Sequence, residues 1–516
     1  MLHELGRYSD ALLTFDSAIA ISPNNVEALF SRAAALNKLE RYAEALSTCN
    51  QALLIRPDCA EAYSNRGIAL AGLKRFEESL QSYDRAIHLI PNHAEFHYNR
   101  GIALGELKRF DEALQSNDRA IQLDPDHAKA YNHRGIALYG LKRFEEAVQS
   151  YDRAIQIKPD YAEAYSNRGN ALDQLSRFAE GLENYDRAIQ LQPDYADAYN
   201  NRSLSLLLSG KFDEGWKIYE WRKKVSWKTG ARNYPQPEWS GEEDITGKTL
   251  FIHWEQGLGD TIQFCRYARF AEARGAKVIL SVQDSLMRLL KDLSPTVEIV
   301  DSESTPAQFD YHATLLSMPF AFKTDATNIP AGIPYLHAEP ERREKWKLRL
   351  GEQAFKIGIA WHASKRGTEI GRSFPIACLH GISKLPAVRL VSLQKDEGAE
   401  NQGAERVTTL PEGMKVEFLG DDFDSGPDAF LDTAAVMENL DLVITADTSI
   451  AHVAGALGRP AWVALKQVPD WRWLLGRNDS PWYPTLRLFR QQSRDDWSSV
   501  FSAMEAELAR MIDASR

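Results

Sequence analysis

The chain has 516 residues, which is too long for one hydrophobic core, so we expect two to four domains. Its net charge of −11 argues against bulk nucleic-acid binding, and its four cysteines lack the spacing of a zinc site or a disulfide framework. No apolar run reaches the roughly 18 residues of a membrane span and the first residues do not form a signal peptide, so a cytoplasmic, reducing location is expected.

A motif repeats every 34 residues through residues 1–227. Proline ends the second helix of each pair, and small residues such as Gly67 and Gly101 allow the helices to cross closely. The prolines are Pro23, Pro57, Pro91, Pro125, Pro159 and Pro193. The motif resembles the tetratricopeptide repeat, which implies an α-solenoid of six full repeats and a half. The half repeat leaves an apolar edge, which we expect a preceding helix or a second subunit of a homo-oligomer to cover.

One polar column runs through the repeats at a single phase, beside a column of arginines. Its members are Asn65, Asn99, His133, Asn167 and Asn201. Stacked amides could bind the backbone of an extended acceptor peptide, because Asn both donates and accepts hydrogen bonds. Alternatively, the column serves contacts between repeats, which is the role we favour for the arginines, with Asp84 and Asp118 as partners. Similar asparagine ladders occur in the O-linked N-acetylglucosamine transferases.

The second half of the chain alternates predicted strands and helices. After a linker at 228–247, strands such as "TLFIHW" and "AKVILSV" alternate with amphipathic helices over 248–338. A second series of this kind covers 339–495. The pattern predicts an α/β architecture of two doubly wound, Rossmann-like domains, with ligands at the carboxyl ends of the strands.

The stretch "DLVITADTSIAHVAGALG" combines a strand, a polar turn and a helix. Asp447 ends the strand, Thr448 and Ser449 can cap the helix, and His452 falls in its first turn. Free N–H groups at a helix N-terminus favour an anion, and a diphosphate fits these groups. The alternative is an ordinary helix cap with a packed histidine.

The stretch "HWEQGLGDTIQF" places Asp260 just after two turn glycines, Gly257 and Gly259. It is neither a dinucleotide fingerprint nor a Walker loop, and the carboxylate would repel a phosphate. It suits an acceptor hydroxyl that loses a proton as it attacks. We expect the helix N-terminus to keep Asp260 ionised at neutral pH. The alternative is a helix cap, and His253, Glu255 and His362 are weaker candidates for acceptor contacts.

"GLGDTIQF" followed by "DTSIAH" resembles the heptosyltransferase-like glycosyltransferases, over about residues 245 to 510. That resemblance implies a two-domain GT-B fold, Asp260 as the catalytic base and the segment from Asp447 as the donor-phosphate site. Ser449 replaces the family's usual glycine. The family's phosphate-contacting lysine falls at Arg372, with Lys365 as second choice. By the same resemblance, a final helix at 496–516 braces the N-terminal α/β domain.

We therefore expect a metal-independent, inverting transfer from a nucleotide-sugar to a protein or peptide selected by the repeats, without a cofactor. Two alternatives stay open: a glycan or lipid-linked acceptor, and a scaffold whose transferase half is inactive. A metal-dependent reading would use Asp422 and Asp424, which match D-x-D. The tryptophan-rich stretch near residue 471 stacks on a nucleotide base or, the interpretation we favour, forms a packed plug.

Overall fold

A computed structural model describes residues 7–225, 232, 234–363, 371–395 and 410–514. It divides into two compact units, Met1–Asn201 and Arg202–Arg516. The predicted boundary at residue 227 therefore falls inside the second unit, because the last helical residues of the repeat pattern cluster with the α/β part.

The repeat pattern forms thirteen helices among the described residues, and they follow the predicted 34-residue spacing. Successive helices are joined by tight turns, whose residues Lys74 and Lys108 have φ values of 59° and 58°. The helices are α1 (Tyr8–Ile21), α2 (Val26–Lys38), α3 (Tyr42–Ile55), α4 (Ala60–Gly72), α5 (Phe76–Leu89), α6 (Ala94–Glu106), α7 (Phe110–Leu123), α8 (Ala128–Gly140), α9 (Phe144–Ile157), α10 (Ala162–Gln174), α11 (Phe178–Leu191), α12 (Ala196–Leu208) and α13 (Phe212–Tyr219).

Two glycines of the repeats, Gly67 and Gly135, lie where a neighbouring helix comes close. A Cβ added at Gly67 would stand 2.5 Å from the ring of Tyr83, and one at Gly135 would stand 2.4 Å from the ring of Tyr151. Both rings are buried. The predicted use of small residues for close helix crossing is therefore confirmed.

The second unit contains a four-stranded parallel sheet in the order β3-β2-β1-β4, which we call the N-terminal lobe. Its strands are β1 (Thr249–His253), β2 (Lys277–Ser281), β3 (Glu298–Val300) and β4 (Tyr311–Thr314). Its helices are α14 (Leu258–Phe264), α15 (Arg266–Ala273), α16 (Met287–Leu290) and α17 (Met318–Ala321). The single predicted helix after β1 is thus two short helices that meet at Cys265.

A six-stranded parallel sheet in the order β10-β9-β8-β5-β6-β7 forms the C-terminal lobe. Its strands are β5 (Phe355–Ala360), β6 (Val388–Ser392), β7 (Val416–Glu417), β8 (Leu442–Ala446), β9 (Ala461–Leu465) and β10 (Leu486–Arg490). The helices are α18 (Pro340–Leu350), α19 (His380–Ser383), α20 (Leu431–Met437), α21 (Ser449–Ala456) and α22 (Trp497–Ala514).

Two elements of the C-terminal lobe differ from the sequence prediction. Strand β10 lies just after the tryptophan-rich stretch, where we predicted no strand. Helix α22 buries Val500, Phe501 and Met504 in a core that also contains Phe374 and Leu379 of the C-terminal lobe. The predicted brace on the N-terminal α/β domain is therefore wrong, since α22 completes the core of the other lobe.

Each sheet has a point where the strand order reverses. In the N-terminal lobe β1 lies between β2 and β4, and in the C-terminal lobe β5 lies between β6 and β8. A crevice opens outside the carboxyl ends of the strands at such a point. The segments after β1, β5 and β8, which carry Asp260, Arg372 and Asp447, therefore lie where ligands bind in sheets of this kind.

Candidate functional site

Asp260 lies in the first turn of α14, after Gly257 caps that helix. Its carboxylate accepts a hydrogen bond from the Gly257 N–H at 2.8 Å, so it takes part in the helix cap. The other carboxylate oxygen accepts a hydrogen bond from Nη2 of Arg472. The side chain is 18% exposed. Both interpretations of the sequence are thus compatible with its position, since the residue caps a helix and stays within reach of solvent.

The pKa of Asp260 is raised, because burial, with the charges of Asp470 and Glu255, outweighs the lowering effect of Arg472 and the Gly257 N–H. The expectation that the helix N-terminus keeps Asp260 ionised at neutral pH stays a prediction, and burial acts against it. A raised pKa makes the carboxylate a stronger base than an exposed aspartate.

Arg472 comes from the turn between β9 and β10, and its side chain is only 10% exposed. Besides Asp260 it donates to Oδ1 of Asp470 at 2.9 Å and to Oε1 of Gln263 at 2.8 Å. Its guanidinium lies 4.3 Å from the ring centroid of Trp471. Sequence reasoning missed this residue. The available signal was a cation between two tryptophans, preceded by an acid, at the carboxyl end of a strand.

The segment after β8 begins a helix in the predicted way. Thr448 caps α21 by accepting the Ile450 N–H at 3.2 Å, and Ser449 is the first residue of the helix. Asp447 is buried at the end of β8. The Ala451 N–H bonds to the Thr448 carbonyl at 3.1 Å, so Thr448 engages two N–H groups of the first turn. The N-terminus of α21 lies at the point where the strand order reverses, and its helix dipole favours an anion there.

Gly259 brings the two motifs together. A Cβ added at this glycine would stand 3.5 Å from Cα of Ser449 and 3.1 Å from Cδ2 of His452. The first turn of α14 therefore packs directly on the first turn of α21. Asp260 is the next residue, so the candidate base and the candidate diphosphate site share one location between the lobes.

His452 is buried and neutral. Burial first, and then the charge of Arg472, lower its pKa to about 3. Its Nδ1 lies 3.1 Å from the hydroxyl of Tyr483, and its ring stacks on Trp473 with centroids 5.6 Å apart. It can contribute a hydrogen bond to an anion but no positive charge.

Arg372 follows β5 and supplies a positive charge to the same region. Its positive charge is one of several that, after burial, lower the pKa of His452. It also lowers the pKa of Asp470. Its neighbour Ser373 donates to or accepts from Nδ1 of His362 at 3.1 Å. Lys365, the second choice for this role, lies outside the described residues.

Two weaker candidates have packing roles. Glu255 pairs with the fully buried Arg222 at 2.9 Å. His253 is buried against Tyr234 and His312, and burial lowers its pKa to about 3. Both side chains are therefore engaged by neighbouring residues of the protein, which does not favour a role in contacting the acceptor substrate.

The two acids of the D-x-D pattern do not converge. Asp422 pairs with Arg349 and Lys345 near the surface. Asp424 is buried and accepts a hydrogen bond from the hydroxyl of Thr433 at 2.6 Å. Within the described ranges, no group of three or more His, Cys, Asp and Glu side chains is arranged to hold a metal ion.

The tryptophan-rich stretch is a packed plug. Trp473, Trp482 and Tyr483 are fully buried, and Trp471 packs edge-on against Trp216 of α13 at 5.1 Å. Its aromatic rings are therefore part of the core beneath Arg472.

Two members of the polar column make contacts between repeats. Asn65 donates to the carbonyl of Phe30 at 2.9 Å, and Asn167 donates to Oδ1 of Asn132 at 3.0 Å. In the same column Asn99 is half-buried, His133 packs on Tyr98 with centroids 5.3 Å apart, and Asn201 accepts from Asn200 at 3.4 Å.

The neighbouring arginines pair as expected. Arg100 and Arg134 bind Asp84 and Asp118 at 2.7 Å and 2.6 Å. Arg100 and Arg134 therefore have the structural role that the sequence favours, between successive helices.

Comparison with known proteins identifies the repeats. Family descriptions of the tetratricopeptide repeat match residues 2–65, 60–93, 94–127 and 162–195, and a TPR-repeat description matches residues 137–176. Protein FlbA of Caulobacter vibrioides is 28% identical over 318 residues, which cover 57% of this chain and 52% of that protein. The chain thus spans about half the length of this curated relative.

Two of the solved structures that resemble the chain cover about a third of its length. YrrB, described as a TPR protein with an unusual peptide-binding site, is 23% identical and covers 37% of this chain and 98% of its own, with a TM-score of 0.31. MamA of Desulfovibrio magneticus RS-1 is 20% identical and covers 33% of this chain and 96% of its own, with a TM-score of 0.31. Across the described part of the chain, no helix is both long and apolar enough to span a membrane. The N-terminal part of the chain is an array of tetratricopeptide repeats.

Proposed function

We propose that the chain is a glycosyltransferase of the GT-B type, which transfers a sugar from a nucleotide-sugar to a protein or peptide. One observation carries the proposal: Gly259 seats the turn that holds Asp260 directly on the first turn of α21. A proton acceptor and an anion site are the two groups that an inverting transfer needs, and both belong to strand ends where ligands bind.

The proposed reaction uses these groups in fixed roles. The acceptor hydroxyl gives its proton to the Asp260 carboxylate as its oxygen bonds to the anomeric carbon. The bond from that carbon to the phosphate oxygen breaks on the opposite face, and its electron pair leaves with the nucleoside diphosphate. Arg372 and the N-terminal end of the α21 dipole would stabilise the leaving charge without a metal ion.

The acceptor assignment rests on the repeats. Tetratricopeptide repeats bind peptides or proteins, and the column from Asn65 to Asn201 offers amides along one line of the array. Asn65 uses its N–H for a contact between repeats. Its amide oxygen could still accept from an acceptor backbone.

A thermal-shift screen tests the donor. UDP-, GDP-, ADP-, CMP- and dTDP-sugars are added to the full chain, and one of them is expected to raise the melting temperature, because a ligand that binds only the folded state stabilises it. Arg372→Gln should reduce that shift. The control is Arg349→Gln, which removes a surface pair of the same lobe. No shift with any donor contradicts the proposal, as does transfer that EDTA abolishes and Mn²⁺ restores.

A repeat scaffold with an inactive transferase half is the second candidate. Its support is the match of the repeat families to residues 2–127 and 137–195, together with the ion pair that occupies Asp260. A scaffold would bind protein partners through the repeats but give no donor-dependent shift.

A further inference from the structure

Arg472 serves two carboxylates from two different lobes. Asp470, on its own turn, holds Nη1 at 2.9 Å and also accepts the backbone N–H of Arg472 at 3.0 Å. Asp260, on the N-terminal lobe, holds Nη2. The contact with Asp470 lies within one turn and consists of two hydrogen bonds. The contact with Asp260 joins the two lobes. The guanidinium can therefore lose Asp260 and still keep its anchor on Asp470.

Both carboxylates together carry one more negative charge than Arg472 carries positive charge. Arg472 gives two hydrogen bonds to Asp470, from its backbone N–H and from Nη1, but only one to Asp260, from Nη2. Asp260 is therefore the less firmly bound of the two. A stronger anion near Arg472 would therefore compete first with Asp260.

The anion site of α21 lies close to this pair. Gly259 separates Asp260 from Ser449, and a Cβ on that glycine would stand 3.7 Å from Cβ of Ser449. The charge of Arg472 also reaches His452 in the first turn of α21, where it helps burial to lower the pKa. A diphosphate bound at α21 would thus lie within the electrostatic range of Arg472.

We propose, on the basis of the proposed function, that Arg472 is a further donor-binding residue that exchanges its bond to Asp260 for a bond to the donor diphosphate. A guanidinium fork matches two phosphate oxygens, and a diphosphate carries more charge than one carboxylate. The exchange frees the Asp260 oxygen that faces Arg472. The base becomes available for the acceptor proton only when the donor is in place.

The exchange has a consequence that a purely structural ion pair lacks. Removal of the charge at Asp260 should strengthen diphosphate binding, because Arg472 then has no ion pair with Asp260 to break before it binds the diphosphate. Removal of the charge at Arg472 should weaken it. The two single substitutions therefore change affinity in opposite directions.

Calorimetric titration of the full chain tests this inference. The probes are inorganic pyrophosphate and whichever of UDP, GDP, ADP and dTDP stabilises the wild type. Asp260→Asn is expected to bind the nucleotide about tenfold more tightly, and Arg472→Gln about tenfold more weakly. The double variant should bind as weakly as Arg472→Gln, since Asp260 then has nothing to compete for.

Controls separate folding from binding. Asp310→Asn removes a carboxylate that accepts the Thr249 N–H at the opposite end of β1, and it should leave nucleotide affinity unchanged. Melting curves establish that each variant is folded, and Asp260→Ser replaces Asp260→Asn if the amide disturbs the Gly257 turn.

Two failures are distinguishable. Unchanged or weaker binding by folded Asp260→Asn, with a wild type that binds, overturns the exchange and leaves the proposed function intact. A wild type that binds neither pyrophosphate nor any of the four nucleotides overturns the proposed function and the exchange together.

Discussion

At the scale of single residues, the environment decides the protonation state of each polar group. His133 occupies the column that elsewhere holds asparagine, and burial first, then Lys129 and His127, lower its pKa to about 4. His452 and His253 are likewise held neutral by burial. These histidines resist protonation in the folded chain but take up protons when it unfolds.

His133 therefore makes the repeats sensitive to acid. The pKa of His133 is lower in the folded chain than in the unfolded chain. Above about pH 6.5 the residue therefore costs no stability, but as the pH falls toward 4 its protonation in the unfolded chain progressively destabilises the fold. His133→Asn should remove this loss. At about pH 4.5 we expect the variant to gain about 2 kcal/mol over the wild type, and at pH 7 much less. Urea denaturation at the two pH values measures the difference, and an equal effect at both would contradict the burial argument.

At the scale of elements, periodic patterns predict more than isolated residues do. The repeat helices follow from the 34-residue period, because each helix meets the same neighbours at the same positions. The five-residue strand β10 was missed, since "LRLFR" carries too few residues to stand out from a tryptophan-rich stretch. A final helix at 496–516 was expected from the resemblance, but the sequence of one helix does not say which lobe will cover its apolar face.

The residues of the candidate site likewise fall into those that a local sequence pattern predicts and those that it does not. Asp260 and the segment from Asp447 could be predicted as candidates because each lies in a short local motif. Arg472 was not found, because its partner Asp260 lies 212 residues away in sequence. Contacts of that kind depend on the packing of two lobes, which local spacing does not encode.

Substitution of two glycines in neighbouring repeats by alanine distinguishes the effect of packing on stability from the effect of helix propensity. Gly135→Ala should destabilise the chain by about 1–3 kcal/mol, because its Cβ would stand 2.4 Å from the Tyr151 ring. Gly105 has no atom within 4 Å of an added Cβ, so Gly105→Ala should stabilise by about 0.5–1 kcal/mol. Chemical denaturation of both variants tests the pair, and a loss of similar size at Gly105 would contradict the packing explanation.

At the scale of the whole molecule, the end of the repeat pattern is built into the α/β unit. Trp216 of α13 donates to the carbonyl of Thr324 at 2.8 Å and packs on Trp471, beside Arg472. Arg222, just after α13, is fully buried and binds Glu255 two residues before Gly257. The segment that ends the repeats therefore touches both loops that hold Asp260.

Removal of Arg222 should be costly. Arg222→Ala leaves Glu255 and Glu220 without their buried partner, and we expect a loss of about 3–5 kcal/mol in the stability of the second unit. Arg487→Ala, which breaks a more exposed pair with Glu507, should cost at most about 1 kcal/mol. Thermal denaturation compares the two variants. Equal, small losses would mean that Arg222 does not join the segment to the sheet.

The central claim is that one site holds an activated sugar between a base and an anion-binding helix. Its most direct test is the rate at which the full chain consumes the nucleotide-sugar that stabilises it, with wild type and Asp260→Asn compared at saturating donor. We predict that Asp260→Asn still binds the donor but turns it over about 10²–10⁴-fold more slowly. A folded Asp260→Asn variant that turns the donor over at the wild-type rate would contradict the account.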